Sequence, residues 1–285
     1  MPLQQLVNHF NDRFEHEHHS NLRPFILENG LVSGIFGPIR IGSTFSPIRQ
    51  ANDSDVIAGH AAQISVTPYD QGVSNTHGEV GNLLTDVIKQ PVDFQSIINL
   101  DRLCRTVHML NYLPYSHQGG VLFLDVDPRH ILGVQQDHGV YFEEIIIKCG
   151  LATKNIVISM TVNQFYALHH AQLLAGLNNY RQRGYQIALN IGTLYTANGL
   201  MDLIGKLSPN YLRVSAPGTE SAVGGEVTWP SALKSLAEMQ SLIGGQIILQ
   251  QVEQKEQAFI VSTVGFDLVQ GSYFDKLSTD HLRCL

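Results

Sequence analysis

The chain has 285 residues, of which 44% are hydrophobic and 15% are charged, which is enough apolar material for one large domain of about 250 residues. Its formal net charge is -7, and its scattered Lys and Arg form no basic stripe, which argues against a nucleic-acid surface. Its cysteines, Cys104, Cys149 and Cys284, form no C-x-x-C pair, which argues against a zinc ribbon or a disulfide framework and favours a reducing compartment.

The first segment has the spacing of an amphipathic helix. Its apolar residues predict one helical face that packs on the rest of the protein or on another subunit: Leu3, Leu6, Val7, Phe10 and Phe14. The histidines within 16–20 predict a polar helix end rather than a metal site, because neighbouring side chains on a helix point in different directions. Pro24 is expected to end the helix.

The N-terminal sequence lacks the apolar core of a secretory signal, and no apolar run approaches the length of a membrane-spanning helix. We therefore expect a soluble, cytoplasmic protein without direct membrane insertion, for which a membrane-bound partner stays open.

From residue 30 onward, strand patterns alternate with helical patterns. Strands are expected at 34–49, 56–66, 121–127, 155–162, 185–191, 211–216, 245–252 and 267–274. Helices are expected at 79–113, 141–149, 165–183, 200–207, 231–242 and 254–264.

Most of these strands are almost continuously apolar. Such strands are typical of a parallel sheet that crossover helices bury on both faces, and a count of about eight favours a closed barrel. The sequence therefore predicts an α/β fold, a TIM-like (β/α)8 barrel. We expect an N-terminal helical extension at 1–29 and a barrel domain at 30–285.

Reactive groups of such barrels lie at the C-terminal ends of the strands. The ends here are polar but poor in carboxylates: Asp125, Asp127, Ser159, Thr161, Asn190, Arg213, Ser215, Gln250, Glu253 and Gln270. The sequence contains no Gly-rich phosphate loop, no G-x-S-x-G elbow and no H-E-x-x-H spacing. His169 and His170 fall within a predicted helix and are expected at its surface or in packing.

Several stretches in order resemble the EAL domain, the bacterial fold that hydrolyses cyclic di-GMP with two divalent cations. They are FSPIR, GHAAQIS, FLDVDPRHI, IVISMTV, YQIALNIG, LSPNYLRVS, ILQQVEQ and GFDLVQGSYF, between residues 45 and 274. GHAAQIS stands where the family has G-x-E-A-L-x-R, and ILQQVEQ stands where it has I-A-E-G-V-E-T. The resemblance implies an EAL-type barrel.

The departures fall on the positions that carry the family's chemistry. The Glu of E-A-L falls on Ala61, and the Arg that closes that stretch falls on Ser65. The later metal-binding and base-linked positions fall on Asp125, Ser159, Asn190, Ile191, Arg213 and Gln250. The family's second Glu and its late Gln are kept as Glu253 and Gln270. These positions together make up the expected degenerate pocket.

The implied site is strongly anionic, whereas here the charges of Asp125 and Arg213 cancel. Hard divalent cations need several oxygen ligands, mostly anionic, and Ala61 and Ile191 offer none. An arginine at 213 cannot deprotonate to act as a base. We therefore expect no catalytic residues, no bound metal and no cofactor. Asp125 is expected to pair with a neighbouring donor, and Asp127, which precedes Pro128, is expected to cap a turn.

Three functions stay open at this point. The first is an inactive EAL domain that binds a protein partner in a signalling, motility or attachment pathway. The second is a cyclic di-GMP receptor that does not hydrolyse its ligand. Ser46 and Ser65 argue against it, because they stand where the family resemblance implies a Gln and an Arg that contact the ligand. The third is a hydrolase with a rebuilt site of Asp125, Asp127 and Glu253. A homodimer through the N-terminal helix also stays open.

Overall fold

The structure is a computed structural model that describes residues 3–18, 23–69, 94–134, 138–162, 164–193, 199–216 and 229–275. The chain divides into two compact units. The sheet unit comprises Met1–Phe45, Ala62–Gly119 and Arg129–Thr153. The barrel unit comprises Ser46–Ala61, Gly120–Pro128 and Lys154–Leu285.

The barrel unit contains a closed eight-stranded barrel surrounded by helices. Its strands are the barrel parts of β3 (Ile39–Gln50) and β4 (Ile57–Pro68), followed by β5 (Val121–Val126), β6 (Ile156–Thr161), β7 (Gln186–Gly192), β8 (Tyr211–Ser215), β9 (Gln246–Gln250) and β10 (Leu268–Val269). They follow the order β3-β10-β9-β8-β7-β6-β5-β4, and a β3–β4 pairing closes the ring. The neighbours from β4 to β10 are parallel, and β3 is antiparallel to β10. The predicted barrel is confirmed.

Helices alternate with the later barrel strands, as the sequence predicts. They are α5 (His170–Gln182), α6 (Leu200–Leu207), α7 (Trp229–Leu242) and α8 (Lys255–Val264). The helix predicted from 165 begins at His170, because Gln164–His169 forms a 3-10 turn with an exposed His169. The last predicted strand, 267–274, was too long, because only Leu268 and Val269 pair with their neighbours.

The barrel core is a layer of inward-facing apolar side chains, one from each barrel strand except β8. It consists of Ile48, Ala61, Phe123, Val157, Ala188, Ile248 and Leu268. The ring of Tyr211 packs edge-on against Phe123 with 4.9 Å between ring centroids. This layer fills the barrel, so the interior is packed rather than open.

The sheet unit combines helices with a small antiparallel sheet. Its elements include α1 (Leu3–His18), β1 (Phe25–Glu28), β2 (Leu31–Phe36), α2 (Phe94–Tyr112) and α4 (Val140–Lys148). Helix α3 (Pro128–Gly133) also belongs to it except for its first residue, Pro128, which is assigned to the barrel unit. The apolar face of α1 is buried at Leu6, Val7, Phe10 and Phe14. The part of the predicted helix at 79–93 lies outside the described residues.

Sequence patterns did not resolve the start of this sheet. The pattern at 34–49 covers a hairpin, in which β2 and β3 pair through Gly34↔Ile41 and Phe36↔Ile39. β1 was not predicted, and it joins β2 through the two-residue turn Asn29-Gly30, in which both residues have positive φ. An Asn-Gly pair is the usual residue choice for such a tight hairpin.

Two asparagine side chains complete the backbone hydrogen bonding of this sheet. Asn11 on α1 donates to the Phe25 carbonyl at 2.8 Å and accepts from the Phe25 amide at 2.9 Å. Asn111 on α2 donates to the Val32 carbonyl at 2.7 Å and accepts from the Val32 amide at 2.8 Å. Each asparagine side chain thus acts as a substitute strand: it makes the two backbone hydrogen bonds that a neighbouring strand would make. This fixes a helix to the sheet.

Among the described helices, none combines the length and the apolar character needed to cross a membrane.

Candidate functional site

A polar layer follows the apolar core layer at the C-terminal ends of the barrel strands. Alternate side chains of a strand share one face, so the residue two positions beyond a core residue also faces inward. In this way Phe123 is followed by Asp125, Val157 by Ser159, Ala188 by Asn190, Ile248 by Gln250 and Leu268 by Gln270. The interior therefore changes from apolar to polar within two residues.

Arg213 on β8 is the centre of one half of this layer. Its Nη1 donates to Ser159 Oγ at 3.1 Å and to Asp125 Oδ1 at 3.3 Å. Its Nη2 donates to Gln270 Oε1 at 3.4 Å. One side chain thus links residues from the ends of β5, β6 and β10.

The electrostatics of this group centre on one buried cation. Arg213 is only 6% exposed, whereas the Asp125 side chain is 60% exposed. Burial lowers the pKa of Arg213, and the Asp125 carboxylate partly opposes that shift. An arginine nevertheless stays charged at neutral pH. Its Cζ lies 5.8 Å from the centre of the Phe123 ring, within cation–π range.

Gln250 on β9 is the centre of the other half. Its Nε2 donates to Asn190 Oδ1 at 2.8 Å and to Ser215 Oγ at 3.2 Å. Asn190 Nδ2 reaches Thr161 Oγ1 at 3.5 Å, and its Oδ1 also accepts from the Gly192 amide at 3.1 Å. These uncharged groups largely satisfy one another.

The other predicted pocket positions have different surroundings. Ala61 belongs to the apolar core layer. Ile191 is 1% exposed and faces away from the inward-facing Asn190. Ser65 belongs to the sheet unit, where it lines a different cavity. Glu253 is exposed, and its backbone amide donates to Gln257 Oε1 at 2.8 Å.

Thr161 and Ser215 join the site although the family resemblance did not put them in the pocket. Both residues are among the polar strand ends expected from the sequence, and the alternation along each strand places them on the inner face, because Thr161 follows Ser159 and Ser215 follows Arg213 by two residues. Strand periodicity thus located these site residues better than motif matching.

Comparison with known families identifies this barrel. A model of the EAL domain matches residues 81–276, which is more than half of the chain. The chain belongs to the EAL domain family. The EAL resemblance noted in the sequence is therefore confirmed. The matched region contains every residue of the two polar groups described above. Among curated protein sequences, no significant match was found.

Solved EAL structures share this fold at low sequence identity. BlrP1 of Klebsiella pneumoniae, in a calcium and cyclic di-GMP complex, is 15% identical with a TM-score of 0.64; the match covers 81% of this chain and 54% of BlrP1. YkuI of Bacillus subtilis, with cyclic di-GMP and calcium, is 19% identical with a TM-score of 0.60, covering 82% of this chain and 54% of YkuI. This chain thus spans about half the length of both.

A standalone EAL protein of Vibrio cholerae O395, in its cyclic di-GMP-bound form, matches over most of its length. It is 15% identical with a TM-score of 0.59, and the match covers 82% of this chain and 90% of that protein. At these identities the comparison establishes the shared fold.

The described residues of this EAL domain do not fit the pair of divalent cations that the family resemblance implies. They contain no group of three or more His, Cys, Asp or Glu side chains that could hold a metal. The side chains of Ala61 and Ile191 carry no ligand atom, and the guanidinium of Arg213 lies among the available oxygens. A divalent ion about 4 Å from that guanidinium would be repelled by about 8 kcal/mol at an effective dielectric constant of 20.

Proposed function

We propose that this protein is a catalytically inactive EAL domain that acts as a protein-interaction or regulatory module in bacterial signalling. The observation that carries the proposal is the position of Arg213. Its guanidinium donates to Asp125, Ser159 and Gln270, where a metal-dependent hydrolase would need free anionic oxygens.

Exposed apolar side chains in the barrel unit support a binding role. Phe165 and Leu168, which follow β6, are 89% and 96% exposed, and Leu242 and Phe259 are also largely exposed. Neighbouring exposed apolar side chains favour protein contacts, and Phe165 and Leu168 lie three residues apart in one 3-10 helix. The partner would belong to a signalling, motility or attachment pathway, and a homodimer stays open.

The proposal keeps the domain organisation expected from the sequence, with an N-terminal helical extension at 1–29 and the barrel domain at 30–285. It also keeps the cytoplasm as the place of action. No cofactor takes part in it.

A cyclic di-GMP receptor is the second candidate. It is supported by the cyclic di-GMP complexes of BlrP1, YkuI and the Vibrio protein. Among the described strand-end residues, Arg213 would partly replace the missing phosphate contact, but its hydrogen bonds to three side chains and its burial both oppose that contact. A charged hydrogen bond of that kind contributes about 1.5–3 kcal/mol.

A hydrolase with a rebuilt site of Asp125, Asp127 and Glu253 is the weakest candidate. Asp125 already pairs with Arg213 at 3.3 Å, and Glu253 is exposed. The described residues contain no metal-binding cluster that would join them.

The test measures cyclic di-GMP hydrolysis and binding with magnesium, manganese or calcium present. We expect no linear dinucleotide and no binding heat. Binding that Arg213→Ala abolishes and Arg181→Ala preserves would establish the receptor, since Arg181 lies on α5 and donates to the Leu207 carbonyl instead. Metal-dependent release of linear dinucleotide would refute the inactive assignment.

A further inference from the structure

A cavity of about 290 Å³ lies in the sheet unit, where strands β2 and β3 stop pairing. Their last described pair is Gly34↔Ile41, and the side chain of Asn111 then takes both backbone hydrogen bonds of Val32. Because a side chain rather than β3 satisfies Val32, the ladder ends here and leaves a space between the strands. Its volume is near the lower end of the range for small-molecule sites, about 300–1,000 Å³.

Most of this cavity is built from residues that precede the EAL-like stretches of the chain. Its lining comes mainly from residues 28–43, and only Ser65 and Thr67 on β4 and Asn111 on α2 follow them. Ser65 alone stands where the family resemblance implies a ligand contact, and that contact needs an arginine. The cavity shares no lining residue with the two polar groups at the barrel strand ends.

The cavity offers uncharged hydroxyl groups. The side chains of Ser33, Ser65 and Thr67 line it, and none of the three has a hydrogen-bond partner among the described residues. A hydroxyl group both donates and accepts hydrogen bonds, and a hydroxyl of a ligand can replace the water that such a group binds. The lining is therefore suited to a ligand that carries several hydroxyls.

The charged side chains of the lining neutralise each other. Arg40 Nη1 donates to Glu28 Oε2 at 2.8 Å. A bound anion would be repelled by Glu28, and a bound cation would be repelled by Arg40. Leu31, which is 66% exposed, adds an apolar surface that the carbon atoms of a ligand can cover. This balance of charge favours a neutral ligand.

We propose that the cavity binds a neutral polyhydroxylated compound with the size of one sugar ring, such as a monosaccharide or a cyclitol. The ligand hydroxyls exchange hydrogen bonds with Ser33, Ser65 and Thr67. The pair of Glu28 and Arg40 supplies an acceptor and a donor for a further hydroxyl. This binding site is additional to the proposed function and does not depend on it.

Gly42 keeps the cavity open. It belongs to the lining, and a Cβ added at this position would lie 2.6 Å from Ser65 Oγ. Gly42→Val therefore puts a branched side chain into the space of the ligand, while valine remains compatible with a strand. Gly205→Val is the matched control, because a Cβ added at Gly205 on α6 would meet nothing within 4 Å.

The experiment titrates the ¹⁵N-labelled full chain with D-glucose, D-galactose and myo-inositol and follows its assigned amide signals by NMR. We expect saturable shifts of the Ser33 and Ser43 amides, with a dissociation constant of about 1–10 mM for at least one compound. D-glucuronate and D-glucosamine place a negative or a positive charge on the glucose ring. Both should bind at least about fivefold more weakly than D-glucose.

The variants separate binding in the cavity from binding elsewhere. Gly42→Val should weaken binding at least about tenfold, and Gly205→Val should leave it unchanged. Ser33→Ala should weaken binding about fivefold through the loss of one hydrogen bond. Its control is Ser262→Ala, because Ser262 on α8 donates to the Phe259 carbonyl at 3.1 Å. Ser33→Ala removes a single oxygen atom, so the test stands even if Gly42→Val does not fold.

The absence of a saturable shift with all three neutral compounds would overturn the inference. It would also be overturned if D-glucuronate or D-glucosamine bound as tightly as D-glucose, or if Ser33→Ala bound as tightly as the wild type. The titration uses neither cyclic di-GMP nor hydrolysis. Its failure is therefore distinguishable from a failure of the proposed inactivity.

Discussion

Gln251 shows how a single residue departs from a local conformational preference at the barrel mouth. It follows Gln250 directly, is exposed, and has φ of 60°. A left-handed conformation costs a residue with a Cβ about 1–2 kcal/mol. The family motif that ILQQVEQ resembles has glycine here. The backbone of the following residue, Val252, packs closely against Gly271, because a Cβ added at Gly271 would lie 2.1 Å from the Val252 carbonyl oxygen.

Gln251→Gly is therefore expected to stabilise the protein. Removal of the Cβ relieves the strained φ, and the gain should exceed the added chain entropy by about 0.5–1 kcal/mol. Urea unfolding would measure the change. Gln63→Gly is the matched control, because Gln63 is an exposed glutamine on β4 without a positive φ. This control should destabilise, and an equal loss at both positions would refute the strain argument.

At the scale of elements, helix α2 completes the edge of β2. The paired register between β2 and β3 runs from Phe36↔Ile39 to Gly34↔Ile41. Beyond it, Asn111 binds both backbone groups of Val32 and lies 3.4 Å from Ser43 Oγ. A cavity of about 290 Å³ lies at this point in the sheet unit, and Asn111, Ser33 and Ser65 are among its lining residues.

Asn111→Ala should destabilise the sheet unit strongly. The substitution leaves the buried amide and carbonyl of Val32 without the side chain that satisfies them, at a cost of about 2–4 kcal/mol. Denaturant unfolding would measure the loss. Asn8→Ala is the control, because Asn8 is an exposed asparagine on α1 that accepts from Gln4, and its loss should stay below about 0.5 kcal/mol. Similar losses for both variants would show that Asn111 does not act as a substitute strand.

At the scale of the whole molecule, buried histidines make stability depend on pH. Burial lowers the pKa of His108 to about 4, and His130 is shifted further in the same direction by burial and by Arg105. His108 Nδ1 lies 2.7 Å from Ser43 Oγ in the sheet unit. A histidine held neutral in the fold favours the unfolded state once the medium can protonate it.

The folded pKa of His108 lies below the unfolded value of 6.5, so the unfolded chain binds the proton first as pH falls. Its contribution to stability is therefore complete above about pH 6.5, declines by up to about 3 kcal/mol as pH falls to about 4, and then levels off. Unfolding free energies across this range should decline less steeply in His108→Gln. The exposed His169→Gln variant should keep the full decline, and an identical slope in all three proteins would contradict this account.

The sequence by itself determined the class of fold and the polar, carboxylate-poor composition of the strand ends. Apolar strand patterns alternating with helices such as Leu200–Leu207 predicted the barrel, because periodicity is a local property of the chain. The same strand patterns placed Asp125, Ser159 and Gln250 at the C-terminal ends of β5, β6 and β9.

Only the tertiary structure decided which of these residues meet. Arg213 joins Asp125, Ser159 and Gln270 across 88, 54 and 57 residues of sequence, and such contacts depend on strand order and register around the closed barrel. The same long-range geometry assigned Ala61 to the apolar core layer, placed Ser65 in the sheet unit, and inserted Asn111 beside β2. Local patterns carry no information about these distances, because they arise only when the sheet closes and the helices pack.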